Sequence, residues 1–432
     1  MRRRMRAPLT LATTVALALP LGAAAAGTAQ ADPEPPTPPA ATDAPRSIAR
    51  AVADAARTVA EQASPRALSS TGQGARGDAL DAALAATADG VPVGVTGTVE
   101  TPELRWHGAD GRRELDRRAP ARPYDRFRVA SITKPMVATL VLQEVERGTW
   151  TLDTPVVDVL PRIADVVPDE YEDRVTLEQL LSHRSGLPDH VVPMIASRMA
   201  DPNDFDEFFD VLGEEYTTDD HVAAMGASEW AFEPGTDFSY SNAGYVVLGM
   251  ALEEATGRDL DTLLEHRVFL PAGMWRTDLP DDPGEHGPFL QGAAHTGDLG
   301  SGWYSLTGFD PSLFDAAGAV TSTTGDLQKF TEALLTGDLL DPETVADMGT
   351  PRTTGDPVFP EYGLGLYRIP DPCEPGEYLY GHDGAAFGTL SMTLASPDAE
   401  RQLTVGLTGR DYAGAEGPDI NTALVPMLEA TC

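Results

Sequence analysis

Basic residues, and lysine above all, are scarce in this chain of 432 residues: 29 arginines and two lysines stand against 67 aspartates and glutamates. A net charge of −36 at pH 7 repels phosphate, which argues against nucleic acid or an anionic lipid surface as a partner. Cysteine is almost absent, with only Cys373 and Cys432. No apolar run beyond residue 31 is long enough to cross a bilayer. Neither a GxSxG elbow nor HExxH or another zinc-ligand spacing occurs, which removes the commonest rival hydrolase designs. No internal repeat is visible.

The amino terminus is the exception to the shortage of basic charge and apolar runs. A basic MRRRMR is followed by the apolar stretch 7–27 and by Ala-Gln-Ala at 29–31, ahead of Asp32. This pattern reads as a secretory signal peptide over residues 1–31. Loss of its four arginines takes the net charge from −36 to −40. An oxidising destination makes one disulfide between the two cysteines the simplest expectation. Closing a loop of roughly 60 residues contributes about 4 kcal/mol in the chain-entropy picture. Six prolines within residues 32–45 exclude helix and central strand there. Together with the Ala- and Ser-rich stretch that follows, a linker over 32–77 is expected, partly disordered with marginal helix. Globular composition begins near Asp78, so the folded body is expected over 78–432.

Alternating residues in VPVGVTGTVE and ELRWHGADG predict two strands near the start of that body. YLYGHDG, FGTLSMTLAS and RQLTVGLTG predict strands near its end, the last two joined by the turn PDAE. The final DINTALVPMLEATC is helical in pattern apart from Pro426. Between these groups lie helical patterns: KPMVATLVLQEVERG, VTLEQLLSH with a capping box from Thr176 to Gln179, YVVLGMALEEATG, and TTGDLQKFTEALLTG. The expectation is an α/β (α+β) fold: an antiparallel sheet from both chain ends, flanked by helices, with an inserted, mostly helical lobe. Residues 201–220 carry nine carboxylates and no basic residue. They lack calcium-loop spacing and read as a solvated insertion.

One of the two lysines, Lys134, follows Ser131 by three residues. On a helix the i and i+3 side chains share a face, so the amine reaches the hydroxyl. The apolar run after it buries the helix and lowers the pKa of the amine, making it a proton acceptor near neutrality. Pro135 favours a helix start close to Ser131, where free backbone N–H groups can meet a developing oxyanion. Tyr240 and Asn242, two apart in FSYSNAGY, point the same way if the segment is extended; a neighbouring cation would lower the pKa of the phenol. His382, Asp383 and Gly384 lie on a predicted strand, where the glycine permits close approach of a ligand or another backbone.

In this order the three constellations resemble the serine β-lactamase and penicillin-recognising D-alanyl-D-alanine peptidase superfamily, in its class C and secreted carboxypeptidase branch. The likeness runs through RFRVASITK, LQEVERGTWTLDTPVVDVLP, LLSHRSGL, FEPGTDFSYSNAGYVVLGMALEEATG, AAGAVTSTTGDLQKF and YGLGL before GHDG, over almost all of residues 78–432. The resemblance implies that Ser131 attacks an acyl carbonyl to form an acyl-enzyme, with Lys134 and Tyr240 sharing the proton traffic. Asn242 would hold Lys134 or the substrate amide, and His382 would stand where the family's Lys-Thr-Gly lysine is. Backbone N–H groups of Ser131 and Ala385 would form the oxyanion hole. The placement of Cys373 and Cys432 matches a disulfide of the secreted carboxypeptidases. The expected substrate is a small molecule or peptide: a cell-wall peptide, a β-lactam or an ester. No metal or organic cofactor, no nucleic acid and, after signal cleavage, no membrane is implied, and the chain is expected to be a monomer.

Departures from the family bear on substrate. Asp383 and Ala385 replace threonines, and Tyr367 stands where an arginine binds the substrate's terminal carboxylate in those carboxypeptidases. Arg368 is one position off and so on the opposite face of a strand; Arg184 and Arg410 are other possible cations. The leading expectation is a D-Ala-D-Ala carboxypeptidase-like hydrolase. A β-lactamase, an esterase or a D-amino-acid amidase are alternatives of the same fold, and a catalytically silent binding or sensor module is the alternative of another class.

Overall fold

A computed structural model describes residues 73–89, 93–115, 119–201, 204–284, 287–295, 302–353, 359, 361–411 and 419–432. The expected signal peptide and the linker up to residue 72 lie outside the described residues, as does the start of the Ala- and Ser-rich stretch. A first helix, α1 (Gln73–Ala88), opens the described part, five residues before Asp78.

Period-2 alternation builds the main sheet. Its strands are β1 (Gly94–Glu100), β2 (Arg105–Gly111), β3 (Tyr367–Pro370), β4 (Tyr378–Ala385), β5 (Thr389–Ala395) and β6 (Gln402–Thr408). They pair antiparallel throughout in the order β2-β1-β6-β5-β4-β3. Both chain ends thus interleave in one sheet, and everything between β2 and β3 is an insertion into it. Val95, Val99, Leu403 and Val405 face α1 and the terminal helix α5 (Asn421–Ala430), packing on Leu80, Leu84, Leu424 and Met427. Residues of opposite parity, Thr98, Thr393 and Thr404, face α4 (Thr324–Leu335) through a polar seam. Thr98 Oγ1 and Thr324 Oγ1 lie 2.7 Å apart, and Gln328 Nε2 donates to the Thr98 carbonyl at 3.1 Å.

The insertion has its own core around two helices that are apolar nearly all round, as a central helix must be: α2 (Thr133–Glu146) and α3 (Asn242–Thr256). The capping box from Thr176 to Gln179 is formed. α5 runs through Pro426 instead of stopping there; burial of Leu424, Met427 and Leu428 holds the turn despite the lost N–H. The acidic segment is less solvated than its composition suggests. It folds as short helices at Phe205–Leu212 and Thr218–Gly226, burying Val211, Leu212 and Tyr216 while Arg198 pairs with Glu214 and Asp220. Cys373 and Cys432 form a disulfide that ties the end of the chain to the β3–β4 connection. Among the described residues no helix is long and apolar enough to cross a membrane.

Candidate active site

Ser131 sits in a 3₁₀ turn, Ala130–Ile132, which runs directly into α2. Ala130 has φ 51°, a left-handed conformation that costs an L-residue energy and persists only where the surroundings impose it. The turn is pinned by Thr133 Oγ1 donating to the Ala130 carbonyl at 2.8 Å and accepting from Val320 N at 3.1 Å. Pro135 falls in the first turn of α2, where its missing N–H costs nothing. Ser131 is partly exposed at the head of a helix that is otherwise buried for its first twelve residues.

Lys134 is fully buried. Its Nζ lies 3.1 Å from Ser131 Oγ, 2.9 Å from Asn242 Oδ1 and 2.8 Å from the Ala317 carbonyl. Two of these partners can only accept, while the serine hydroxyl can also donate. A neutral amine therefore fits: two N–H bonds to Asn242 and Ala317, and its lone pair toward Ser131 O–H. Burial lowers the Lys134 pKa to about 7, with Asp189 and Asp383 holding it from falling further. Asn242 is oriented by Asp189, whose Oδ2 accepts from Asn242 Nδ2 at 2.9 Å and from its backbone N at 2.6 Å. That leaves the amide oxygen for Lys134.

Tyr240 joins the same cluster, with Lys134 Nζ over its ring, 4.8 Å from the centroid. Its hydroxyl lies within reach of Ser131, yet it is closed to solvent and makes no regular hydrogen bond. Burial pushes its pKa well above 10, and Asp383 adds to the effect, against a smaller opposing influence from Ser131. The expected lowering by a neighbouring cation does not occur, because burial dominates. Tyr240 and Asn242 do converge on Lys134, though Ser241 between them is extended and Asn242 begins α3.

Strand β4 packs beside the Ser131 turn. A Cβ at Gly384 would collide with the Val129 carbonyl oxygen and Ser391 Oγ, so another backbone makes the close approach that glycine allows. Ser391 Oγ donates to Val129 O at 2.9 Å and secures the contact. Ala385 follows at the strand end, next to the turn. His382 is fully buried, with both ring nitrogens engaged and its pKa lowered by burial to about 3. It is a neutral imidazole. Asp383 is buried with Oδ1 unpartnered and its pKa raised by burial to about 6; its side chain meets Tyr367.

The arginines divide sharply. Arg368 turns away from Tyr367, donating to Glu361 Oε2 at 2.5 Å and stacking on Tyr378. Arg184 donates to the Gly235 carbonyl at 2.5 Å. Arg410 Nη1 donates to the carbonyl of Ala386, the residue after Ala385, at 3.1 Å. Asp189, His183 and Tyr362 belong to the cluster but were not singled out in the sequence. The sequence signal for His183 and Tyr362 is membership of LLSHRSGL and YGLGL, and Asp189 has none.

Known proteins share sequence and fold with the chain. The chain is 28% identical to Esterase EstB of Burkholderia gladioli over 348 residues, 73% of this chain and 85% of that protein. It is 30% identical to Penicillin-binding protein 4 of Amycolatopsis lactamdurans over 285 residues, 63% of this chain and 69% of that one. The crystal structure of a D-stereospecific amidohydrolase from Streptomyces sp. superposes with a TM-score of 0.68 at 29% identity, covering 82% of this chain and 98% of that one. A family model described as Beta-lactamase matches residues 71–424, and the chain therefore belongs to the serine β-lactamase and penicillin-binding protein family of serine hydrolases.

Proposed function

We propose that the protein hydrolyses an amide or ester through an acyl-enzyme on Ser131, and that it favours substrates whose leaving group bears no free carboxylate, such as D-amino-acid amides or esters. The observation that carries the chemistry is the 3.1 Å contact between Lys134 Nζ and Ser131 Oγ in a site where the amine is half-neutral at pH 7. The serine proton passes to Nζ as Oγ bonds to the acyl carbon, and the N–H groups of Ser131 and Ala385 take the charge on the carbonyl oxygen. The bond to the leaving group breaks as that group takes the proton of the Tyr240 phenol, and Lys134 returns its proton to the phenolate. Water then repeats the sequence: its proton passes to Lys134, its oxygen bonds to the acyl carbon, and Ser131 leaves as the alcohol.

The substrate class follows from charge. Asp383, with Tyr367 beside it, puts a carboxylate where a terminal carboxylate would have to bind, and repels it. The names of the similar esterase and D-stereospecific amidohydrolase fit this preference. A carboxypeptidase acting on D-Ala-D-Ala ends is the second reading, favoured by Arg410 beside the Ala386 carbonyl. A secreted, monomeric protein without metal or organic cofactor completes the proposal; the disulfide supports an oxidising destination. The test is labelling with a fluorophosphonate and a fluorescent penicillin, followed by peptide mapping. Label on Ser131 and its loss in Ser131→Ala support the reading; label elsewhere, or full turnover by Ser131→Ala, ends it.

A further inference from the structure

The Tyr362 hydroxyl lies between two imidazoles, 3.2 Å from His183 Nε2 and 2.9 Å from His382 Nε2. One end of this chain is a fixed donor, the Ser241 amide N–H, 3.2 Å from His183 Nδ1. The other is a fixed acceptor, the Asp383 carbonyl oxygen, 2.6 Å from His382 Nδ1. An amide N–H can only donate and a carbonyl can only accept, so every proton between them has one place. His183 carries its proton on Nε2 and donates to Tyr362; Tyr362 donates to His382 Nε2; His382 donates through Nδ1. Both rings are neutral in this order. All three side chains are at most 2% exposed, and burial holds both imidazoles far below their ordinary pKa.

We infer that His183 and Tyr362 are positioning residues for Tyr240, and that this ordered chain sets where the Tyr240 hydroxyl stands relative to Ser131. The hydroxyl has no regular hydrogen bond of its own, so its place must be imposed through its ring and backbone. His183 does both. Its carbonyl accepts from Ser239 N at 3.0 Å and its ring from Ser241 N, clamping the residues on either side of Tyr240. Its ring lies on that of Tyr240 with centroids 4.2 Å apart, while Phe359 stacks at 5.1 Å and Tyr362 meets the ring edge-on at 6.4 Å. His183 is also one of the few non-glycine residues with positive φ, at 58°, strain of the kind retained where function needs a defined geometry. Through Tyr362 and His382 the clamp reaches β4, so the segment holding Tyr240 and the strand ending in Ala385 are set at one spacing.

This inference rests on the reading of Tyr240 as proton donor to the leaving group, and the experiment separates the two. An anilide and a p-nitrophenyl ester of one acyl group are compared. The anilide's amine needs a proton to leave and the nitrophenolate does not. Tyr362→Phe is expected to lower the single-turnover rate of Ser131 acylation by the anilide by about tenfold to a hundredfold, with little change in that rate for the ester or in fluorophosphonate labelling of Ser131. His183→Ala should do the same, His183→Gln should recover part of the loss, and Tyr240→Phe/Tyr362→Phe should lose no more than Tyr240→Phe alone. An anilide-specific loss in Tyr240→Phe but not in Tyr362→Phe, or equal losses on both substrates in Tyr362→Phe with labelling intact, overturns the positioning role. No anilide-specific loss even in Tyr240→Phe, or no labelling of Ser131 in the unaltered protein, overturns the underlying reading and the inference with it.

Discussion

The two proton-carrying side chains of the site are built in opposite ways. Lys134 is satisfied within the protein: three partners at 2.8–3.1 Å, one of them braced by Asp189. Tyr240, under 5 Å away, has a hydroxyl closed to solvent and without a regular partner, and next along the site Asp383 Oδ1 is in the same condition. Buried polar atoms are nearly always paired, so an exception calls for a cause. The Lys134 side is complete within the protein, whereas Tyr240 Oη and Asp383 Oδ1 have no regular hydrogen-bond partner among the described residues. Lys134 is held by hydrogen bonds, and Tyr240 by the rings and backbone around it.

Removing the hydrogen-bonded half should cost most. Ser131→Ala should abolish turnover and covalent labelling, and Lys134→Ala should lower kcat/KM roughly 10³-fold at pH 7. Lys134→Arg should do no better, because a guanidinium keeps its proton. Breaking the other half should cost less and show in the substrate: Tyr240→Phe should lose roughly 10²-fold on amides, and the double variant with Lys134→Ala less than the product of the single losses. Asp383→Asn and Tyr367→Arg should each improve a free-acid peptide relative to its amide by about tenfold to a hundredfold in kcat/KM; an unchanged ratio would show that these residues do not form the leaving-group subsite. Asp383→Asn should also move the acid limb of the rate profile to lower pH, since the aspartate raises the Lys134 pKa. The smallest effect on activity belongs to the disulfide. Its reduction should leave kcat near wild type and lower unfolding stability by up to about 4 kcal/mol, read from denaturant midpoints.

What was legible in the sequence followed the same division. The Ser131–Lys134 pair depends on local helix geometry, which spacing reveals, and the strands of the sheet depend on alternation that hydrophobic patterning reveals. Asn242 was legible as a holder of Lys134 or of the substrate amide only through the family resemblance. Asp189, His183 and Tyr362 were not, because each acts through a contact 50 or more residues away and none has an unusual neighbourhood in the chain. The sign of the Tyr240 shift also escaped the sequence. Proximity to a cation is inferable from motifs, whereas the burial that outweighs it belongs to tertiary packing. Pro426 misled for a related reason, since local propensity marks a break that a buried helix face overrides.

The central claim is that Lys134 is the base and is half-deprotonated near neutrality. It is tested most directly by the pH dependence of the first-order rate of Ser131 acylation, followed in a single turnover with a p-nitrophenyl ester. A lysine whose pKa burial has lowered to about 7 predicts a rate that falls tenfold per unit below that pH and levels off above it, with the limb lost in Lys134→Ala. A rate independent of pH from 5 to 9, or an unshifted limb near 7 that survives in Lys134→Ala, would contradict the account.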